Sequence, residues 1–167
     1  MKKILLLSDT HNYLDEAIRK YAAQADEIWH AGDIGSLSIA DDLSAIRPLR
    51  AVFGNIDDHT VRLAWPEDLN FYCEEVKVWM THIGGYPGHY TQRVKEGLQV
   101  HHPAIFICGH SHILRVMRDQ RFNLLYMNPG AAGIHGFHHM RTMLRFNIDG
   151  NKIENMEVIE LGRRGLS

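Results

Sequence analysis

Short apolar runs, each followed by a polar residue, constrain the fold of this chain more than any other sequence feature. The runs cover residues 3–8, 27–31, 50–53, 71–81 and 104–108. Runs of this kind are typical of strands that are buried on both faces. Apolar residues at helical spacing lie between them, over residues 14–24, over 36–45 behind a capping Ser36, and more weakly over 91–101. This alternation predicts parallel strands joined by helical crossovers.

The last third of the chain has a different pattern. Residues 113–117 and 122–127 predict one hairpin, and residues 140–148 and 152–161 predict a second around Asp149-Gly150. Asn128-Pro129-Gly130 is predicted to be a turn. The fold class is therefore α/β with α+β character, as one domain over residues 1–167, with two sheets packed face to face and helices outside.

Side chains with metal-ligand chemistry follow the apolar runs at the points where the runs end. These residues are Asp9, His11, Asp33, Asn55, His82, His110 and His112. In an open α/β sheet the functional site lies beyond the carboxyl ends of the strands. Taken singly, each residue has a simpler explanation as a helix cap, a turn residue or a half-buried histidine. Their recurrence at successive strand ends favours one shared site.

The pair His110 and His112 illustrates why a metal site is attractive. Gly109 lets the backbone turn after the apolar run, and side chains at positions i and i+2 of an extended chain point to the same side. Both imidazoles can then bind one metal ion, or one each of two neighbouring ions. The alternative is a polar turn with two solvated histidines.

The whole set offers carboxylates, imidazoles and one amide, but no thiolate. Such donors suit Mn²⁺, Fe²⁺, Ni²⁺ or Zn²⁺ in a reactive site rather than a closed structural zinc site. Seven ligands are too many for one ion and suit two. A carboxylate can bridge two ions roughly 3.5–4 Å apart, as two-metal hydrolases use them.

The ordered motifs Asp9-x-His11, Gly32-Asp33, Gly54-Asn55, a lone His82 and Gly109-His110-Ser111-His112 resemble those of the calcineurin-like metallophosphoesterases. The short length and the Asn128-Pro129-Gly130 motif resemble the small prokaryotic phosphodiesterase branch of that family. The resemblance runs from Lys3 to about Leu161. It implies a four-layer α-β-β-α sandwich of two mixed sheets with a dinuclear metal centre.

The resemblance also implies roles for the ligands. Asp9, His11 and His112 would bind the first ion, Asn55, His82 and His110 would bind the second, and Asp33 would bridge the two. Asp33, Asn55 and His82 would act in catalysis through the metals. Mn²⁺ is the expected ion, with Fe²⁺, Ni²⁺ and Zn²⁺ as alternatives.

Two positions depart from the family pattern. Many relatives have Gly-Asn-His-Asp where this chain has Gly54-Asn55-Ile56-Asp57. The resemblance implies that Ile56 replaces a histidine that protonates the leaving group or steadies the phosphate, and Ile56 can do neither. No general acid is identified from the sequence. General acid catalysis contributes about 10²–10⁴-fold and matters most for poor leaving groups, so activated diesters are favoured over alkyl monoesters. Ile83 stands where relatives usually have glycine.

The predicted function is therefore that of a dinuclear phosphodiesterase, which hydrolyses a small phosphoester by means of a metal-activated hydroxide. A nucleotide-derived substrate is one candidate. One alternative is a phosphomonoesterase or nucleotide phosphatase of the same fold. A second is a non-catalytic interaction scaffold like a retromer subunit, which lacks full ligation. All seven ligand positions are filled here.

Other polar residues are candidates for substrate contact. They are His59, Asn128, His135 and His138, the last two in a glycine-flanked loop over residues 133–139. Loops carry function disproportionately. By contrast, His30 is expected to be a packed, hydrogen-bonded histidine.

The amino-acid composition excludes further classes of protein and partner. The net charge of −2 argues against a nucleic-acid binder that relies on bulk charge. No apolar run is long enough to cross a membrane, so no membrane partner is expected. Two cysteines without a Cys-x-x-Cys spacing suit a reducing compartment, and a cytoplasmic location is expected. A homo-oligomer is left open.

Overall fold

Two five-stranded sheets carry the fold of the computed structural model, which describes residues 1–165. The elements along the chain are β1 (Lys2–Leu7), α1 (Glu16–Ala23), β2 (Glu27–His30), α2 (Leu37–Ile46), β3 (Leu49–Ala51), α3 (His59–Ala64), β4 (Asp68–Cys73), β5 (Val76–Thr81), α4 (Gln92–His101), β6 (Ile105–Ile107), β7 (Leu114–Asp119), β8 (Leu124–Pro129), β9 (Met140–Asp149) and β10 (Lys152–Arg163).

Both sheets are mixed. The first has the order β10-β9-β1-β2-β3, with β1 parallel to β2 and antiparallel to β9. The second has the order β4-β5-β6-β8-β7, with β6 parallel to both β5 and β8. The two C-terminal hairpins therefore complete different sheets. The parallel strands lie at the centre of the second sheet, whereas in the first they extend from β1 at the centre to β3 at the edge.

Alternate residues of each central strand enter different apolar layers. In β1, Ile4 and Leu6 face the second sheet, whereas Leu5 and Leu7 face α1 and α2. In the second sheet, Trp79 points outward and packs with the apolar face of α4. Strands buried on both faces have continuous apolar sequences, because no face is left for water. The predicted four-layer α-β-β-α sandwich is confirmed.

Some local predictions were wrong. The sequence predicts an irregular segment over residues 62–70, but the end of α3 and the start of β4 fall within it. Asp58 caps α3, and its carboxylate accepts a hydrogen bond from the Val61 N–H at 3.1 Å. Only Val61 of this short helix is buried, so no apolar periodicity reveals it. Asn128 and Pro129 end strand β8 rather than forming a turn.

No helix among residues 1–165 has the length and apolar character needed to span a membrane. The cytoplasmic location and the single domain over residues 1–167 stay predictions, and residues 166 and 167 of that range lie outside the described residues.

Candidate metal centre

The carboxyl ends of β1, β2, β3, β5 and β6 meet at one edge of the sandwich. The structure brings all seven candidate ligands together there, in two neighbouring groups. Asp9, His11 and His112 form the first group, and Asp33, His82 and His110 form the second, with the ligand atoms of each group within 4.8 Å of one another. Asn55 joins the second group, because its Oδ1 lies 3.0 Å from Nδ1 of His110.

Asp33 lies between the two groups. Its Oδ2 is 3.3 Å from Nε2 of His11 in the first group and 3.2 Å from Nε2 of His82 in the second. Its other oxygen, Oδ1, accepts a hydrogen bond from the Ile56 N–H at 3.0 Å. One carboxylate oxygen therefore faces both groups while the other anchors the loop that carries Asn55.

Hydrogen bonds outside the two groups aim the ligand atoms inward. Nδ1 of His82 donates to the Ala31 carbonyl at 2.7 Å, so its Nε2 lone pair faces the cluster. Oδ2 of Asp9 accepts from the Ser8 hydroxyl at 2.6 Å and from the His110 N–H at 3.1 Å. Oδ1 of Asp9 is left facing His112, whose Nε2 is 3.1 Å away.

Three of the inward atoms are buried without a hydrogen-bond partner among residues 1–165. They are Asp9 Oδ1, His11 Nε2 and His82 Nε2. An unsatisfied buried polar group costs about 1–3 kcal/mol, so such a cluster is not expected by chance. Divalent cations would satisfy all three with the oxygen and nitrogen donors that these ions prefer. The residues present therefore fit a metal site.

The backbone of the site is also unusual. Asp9, His11, Asp33, His110 and His112 all have φ between +45° and +70°. Residues other than glycine rarely adopt this left-handed conformation, and it clusters at functional sites. Hydrogen bonds between the loops hold it, since the Asp9 N–H donates to the Gly32 carbonyl at 2.9 Å and the His11 N–H to the Asp33 carbonyl at 3.0 Å.

The electrostatics of the cluster favour positive charge at its centre. Burial alone would raise the pKa of Asp9, but the facing imidazoles of His11 and His112 outweigh burial and hold that pKa well below its usual range. Burial would likewise raise the pKa of Asp33, but the contacts with His11 and His82 outweigh burial and lower that pKa. The same carboxylates, Asp33 first, raise the pKa of His11 to about 9. Protons on the imidazoles therefore offset the carboxylates when no other cation is bound.

His30 is packed as expected and lies outside the ligand set. Its Nδ1 accepts from the Gly32 N–H at 3.1 Å, and its Nε2 donates to the Thr10 hydroxyl at 3.0 Å. Complete burial lowers the pKa of His30 to about 4, so the ring is neutral near pH 7. It supports the loop between β2 and Asp33.

Asp57 is the main site residue that sequence reasoning missed. Its carboxylate accepts hydrogen bonds from the N–H groups of Gly54 at 2.7 Å, Gly35 at 2.8 Å and Ile34 at 3.1 Å. It thus ties the loop that carries Asn55 to the loop that carries Asp33. The only available signal was an acidic residue shortly after the Gly54-Asn55 motif, which does not reveal these partners.

We expect Asp57→Asn to lower the free energy of unfolding by about 2–4 kcal/mol, because one amide nitrogen would face backbone donors that now bond to a carboxylate oxygen. Urea unfolding of the metal-free protein measures this. Asp58→Asn is the matched control, since asparagine caps a helix about as well as aspartate. Equal stability of the two variants would contradict the role given to Asp57.

The candidates for substrate contact occupy different places. The His135 ring stacks on His11 with centroids 4.9 Å apart, and both His135 and His138 line the cleft over the ligands. Asn128 is buried beneath the cleft, where its amide donates to the Gly109 carbonyl at 3.0 Å and positions the His110–His112 loop. His59 begins α3 and is not among the residues lining this cleft. Substrate contact by any of the four stays a prediction.

The cleft over the ligands has a volume of about 600 Å³. Beside the ligands, its walls carry the exposed apolar side chains of Ile56, Ile113 and Phe137. Within the described chain, neither lysine nor arginine lines it. Charge in this cleft thus comes from the ligand cluster.

Two face-to-face mixed sheets with paired carboxylate and imidazole groups at their strand ends define a protein of the metallophosphoesterase class. The chain belongs to the calcineurin-like phosphoesterase superfamily, whose domain model matches residues 1–151. Members of this family use divalent metal ions, and the two ligand groups are where such ions would bind.

Individual relatives agree with this membership. A probable metallophosphoesterase of Methanothermobacter thermautotrophicus is 29% identical over 165 residues, which cover 94% of this chain and 91% of the relative. Solved structures show the same fold. One is an archaeal phosphodiesterase, with 20% identity and a TM-score of 0.75 over 95% of this chain and 99% of that one. Another is Vps29 of Chaetomium thermophilum, with 15% identity and a TM-score of 0.77 over 98% of this chain and 100% of that one.

Proposed function

We propose that this protein is a phosphodiesterase that works with two divalent metal ions, with Mn²⁺ the expected ion and Fe²⁺, Ni²⁺ or Zn²⁺ as alternatives. The observation that carries the proposal is the position of Asp33, whose single Oδ2 faces a histidine of each ligand group at 3.2–3.3 Å. A carboxylate in this position can bridge two metal ions at the separation that two-metal hydrolases use. The six other candidate ligands around it support the same interpretation.

Two bound divalent ions supply charge stabilisation for a phosphate and lower the pKa of a bound water towards neutrality. The residues of the chain supply position. Asp9, His11 and His112 hold one side of the site, and Asn55, His82 and His110 hold the other. The contacts of His82 with Ala31 and of Asp9 with Ser8 fix these donors before substrate arrives, so little reorganisation is needed.

Two features favour a diester over a monoester. Ile56 places an apolar side chain where a proton donor would be needed for a poor leaving group, and this side chain is 44% exposed at the cleft. The cleft walls within the described chain also lack lysine and arginine, which would help to neutralise the second charge of a monoester. A singly charged diester with organic groups on both sides fits such walls better.

A non-catalytic scaffold is the second candidate, and the fold likeness to Vps29 favours it. This likeness, at 15% identity, concerns the fold alone and does not decide between hydrolysis and scaffolding. A scaffold has no need of a carboxylate placed between two complete ligand groups, and this contrast is the reason to prefer the enzyme.

A direct test compares bis(p-nitrophenyl) phosphate with p-nitrophenyl phosphate after loading with each of the four metals. We expect a higher kcat/KM for the diester, with Mn²⁺ the best activator. Preference for the monoester would establish the phosphomonoesterase alternative. No hydrolysis of either ester, with metal bound in the expected amount, would favour the scaffold.

We expect Ile56→His to raise hydrolysis of an alkyl monoester such as glycerol 2-phosphate, whose leaving group needs a proton, by about 10²-fold or more if leaving-group protonation is limiting, since general acids contribute on that order. Diester hydrolysis with a p-nitrophenolate leaving group should change little, because that group leaves without a proton. Ile56→Ala controls for the loss of the apolar wall. If both substrates respond alike, protonation is not what the wild-type site lacks.

A further inference from the structure

A small recess beside the metal centre has no role in the proposed hydrolysis. It has a volume of about 180 Å³ and shares His110, Ser111 and Ile113 with the cleft over the ligands. Its other walls include Tyr86 and Arg115, and its floor includes the glycines of the Gly84-Gly85 loop. A group attached to a phosphate at the metal centre would reach it directly.

Tyr86 and Arg115 form one wall together. The guanidinium carbon of Arg115 lies 4.1 Å from the centre of the Tyr86 ring, so the two flat groups stack. Among residues 1–165, the Arg115 guanidinium has no carboxylate within ion-pair distance and donates to no protein acceptor, and its recorded contact is with the Tyr86 ring. Its planar set of donors is thus held in place by stacking and remains available to a ligand.

The loop that carries Tyr86 is rigidly fastened. The His89 N–H donates to the Tyr86 carbonyl at 2.8 Å, and the Tyr126 hydroxyl donates to the Gly85 carbonyl at 2.7 Å. Gly85 has φ +83°, and a Cβ there would lie 2.2 Å from the His89 carbonyl oxygen. The backbone is therefore fixed in a form that only glycine adopts readily, so the loop needs little ordering when the Tyr86 ring contacts a ligand.

Ser111 adds a free donor at the junction of the recess and the cleft. Its Oγ accepts hydrogen bonds from the Asn128 amide and from the Ile113 N–H, each at 3.1 Å. Because both bonds are accepted, the hydroxyl proton of Ser111 is left to donate elsewhere.

We propose that this recess binds a nucleobase, or a similar planar heteroaromatic group, carried by the phosphodiester substrate. Aromatic and apolar walls suit the faces of such a ring, and the free N–H groups of Arg115 suit its acceptor atoms. The inference rests on the proposed phosphodiesterase function and names its substrate class as nucleotide esters. A simple alkyl group would gain nothing from the Tyr86–Arg115 stack.

The test uses two diesters with the same leaving group and the same charge. Thymidine 5′-(p-nitrophenyl phosphate) carries a base, whereas methyl p-nitrophenyl phosphate does not. We expect the wild-type enzyme to prefer the thymidine ester by about 10- to 100-fold in kcat/KM, the range that base stacking on an aromatic side chain provides. Tyr86→Ala and Arg115→Gln should remove most of this preference, mainly through KM, and leave the methyl ester unchanged.

Controls separate recognition from general damage. Tyr86→Phe keeps the ring and should keep the preference. Tyr72→Ala removes an exposed tyrosine on β4, and Arg118→Gln removes another arginine of β7, and neither residue lines the recess. Both control variants should behave as the wild-type enzyme does.

The outcomes are distinct. Equal wild-type rates on the two esters, or rates lowered equally on both by Arg115→Gln, would overturn the inference while the phosphodiesterase stands. If neither ester is hydrolysed, the proposed function fails. Calorimetry then tests the recess by comparing the affinity of the protein for AMP with its affinity for inorganic phosphate. Tighter AMP binding that Tyr86→Ala abolishes supports a base site, and equal binding of the two probes overturns it.

Discussion

Asp33→Ala is expected to lower kcat/KM by about 10³-fold or more and to reduce the bound metal from the proposed two ions per chain towards none or one, because in the proposed site one carboxylate serves both ions. Oδ2 of Asp33 faces His11 and His82 at 3.3 and 3.2 Å, so its removal opens both ligand groups at once. Metal analysis of the purified protein and hydrolysis of bis(p-nitrophenyl) phosphate measure the two effects.

A second variant separates ligand loss from loop disorder. The other oxygen of Asp33 accepts the Ile56 N–H, so alanine also frees the loop that carries Asn55. Asp33→Asn can keep that hydrogen bond through its amide oxygen while removing the negative charge. Asp41→Ala, on the exposed face of α2, is the control for loss of an aspartate. Full metal content and normal turnover in both Asp33 variants would remove Asp33 as the bridge.

The convergence of the ligands was predictable because their spacing along the chain follows the strands. A strand buried on both faces produces a continuous apolar run, and the first polar residues after it lie at the carboxyl edge of the sheet. Asp9, Asp33 and His82 each follow such a run, so the sequence pattern predicts that they lie at one edge of the sheet. The structure brings them within a few ångströms.

The sheet partners of the two C-terminal hairpins could not be predicted in the same way. β9 pairs with β1 across more than a hundred residues of chain, and β8 pairs with β6, yet both hairpins have the same local pattern of strands and turns. The sheet that each hairpin joins depends on where its apolar face is buried in the folded protein. The position of Asn128 depends on it, because only the pairing of β8 with β6 brings this side chain beneath Gly109.

The supporting residues of the site were less visible than the ligands. Asp57 acts through three backbone N–H groups from two loops, and a bond to backbone leaves no partner residue type to recognise in a sequence. The left-handed φ of Asp9 and His110 likewise follows from the loop contacts, not from residue type alone. Sequence patterns thus reveal which groups meet more readily than what holds them.

Removing metal with a chelator is expected to abolish hydrolysis and to lower Tm, and adding Mn²⁺ should restore both. The metal-free protein should stay folded, because the pKa of His11 is raised to about 9 and protonated imidazoles then stand against the carboxylates of Asp9 and Asp33. An ion that binds only the folded state adds about 4 kcal/mol when its concentration is 1,000 times Kd, which corresponds to a Tm rise of roughly 10 °C for a chain of this size. Calorimetry with and without Mn²⁺ measures it.

The Asp33→Ala variant supplies the control for that shift. With both ligand groups opened, Mn²⁺ should change its Tm much less than it changes that of the wild-type protein. Hydrolysis that survives complete metal stripping would refute a metal-dependent mechanism. A full Tm shift in Asp33→Ala would mean that the stabilising ions bind somewhere other than between Asp9, Asp33 and His82. The proposed site needs the Asp33 carboxylate for both ligand groups, so ions bound there could not stabilise this variant as they stabilise the wild-type protein.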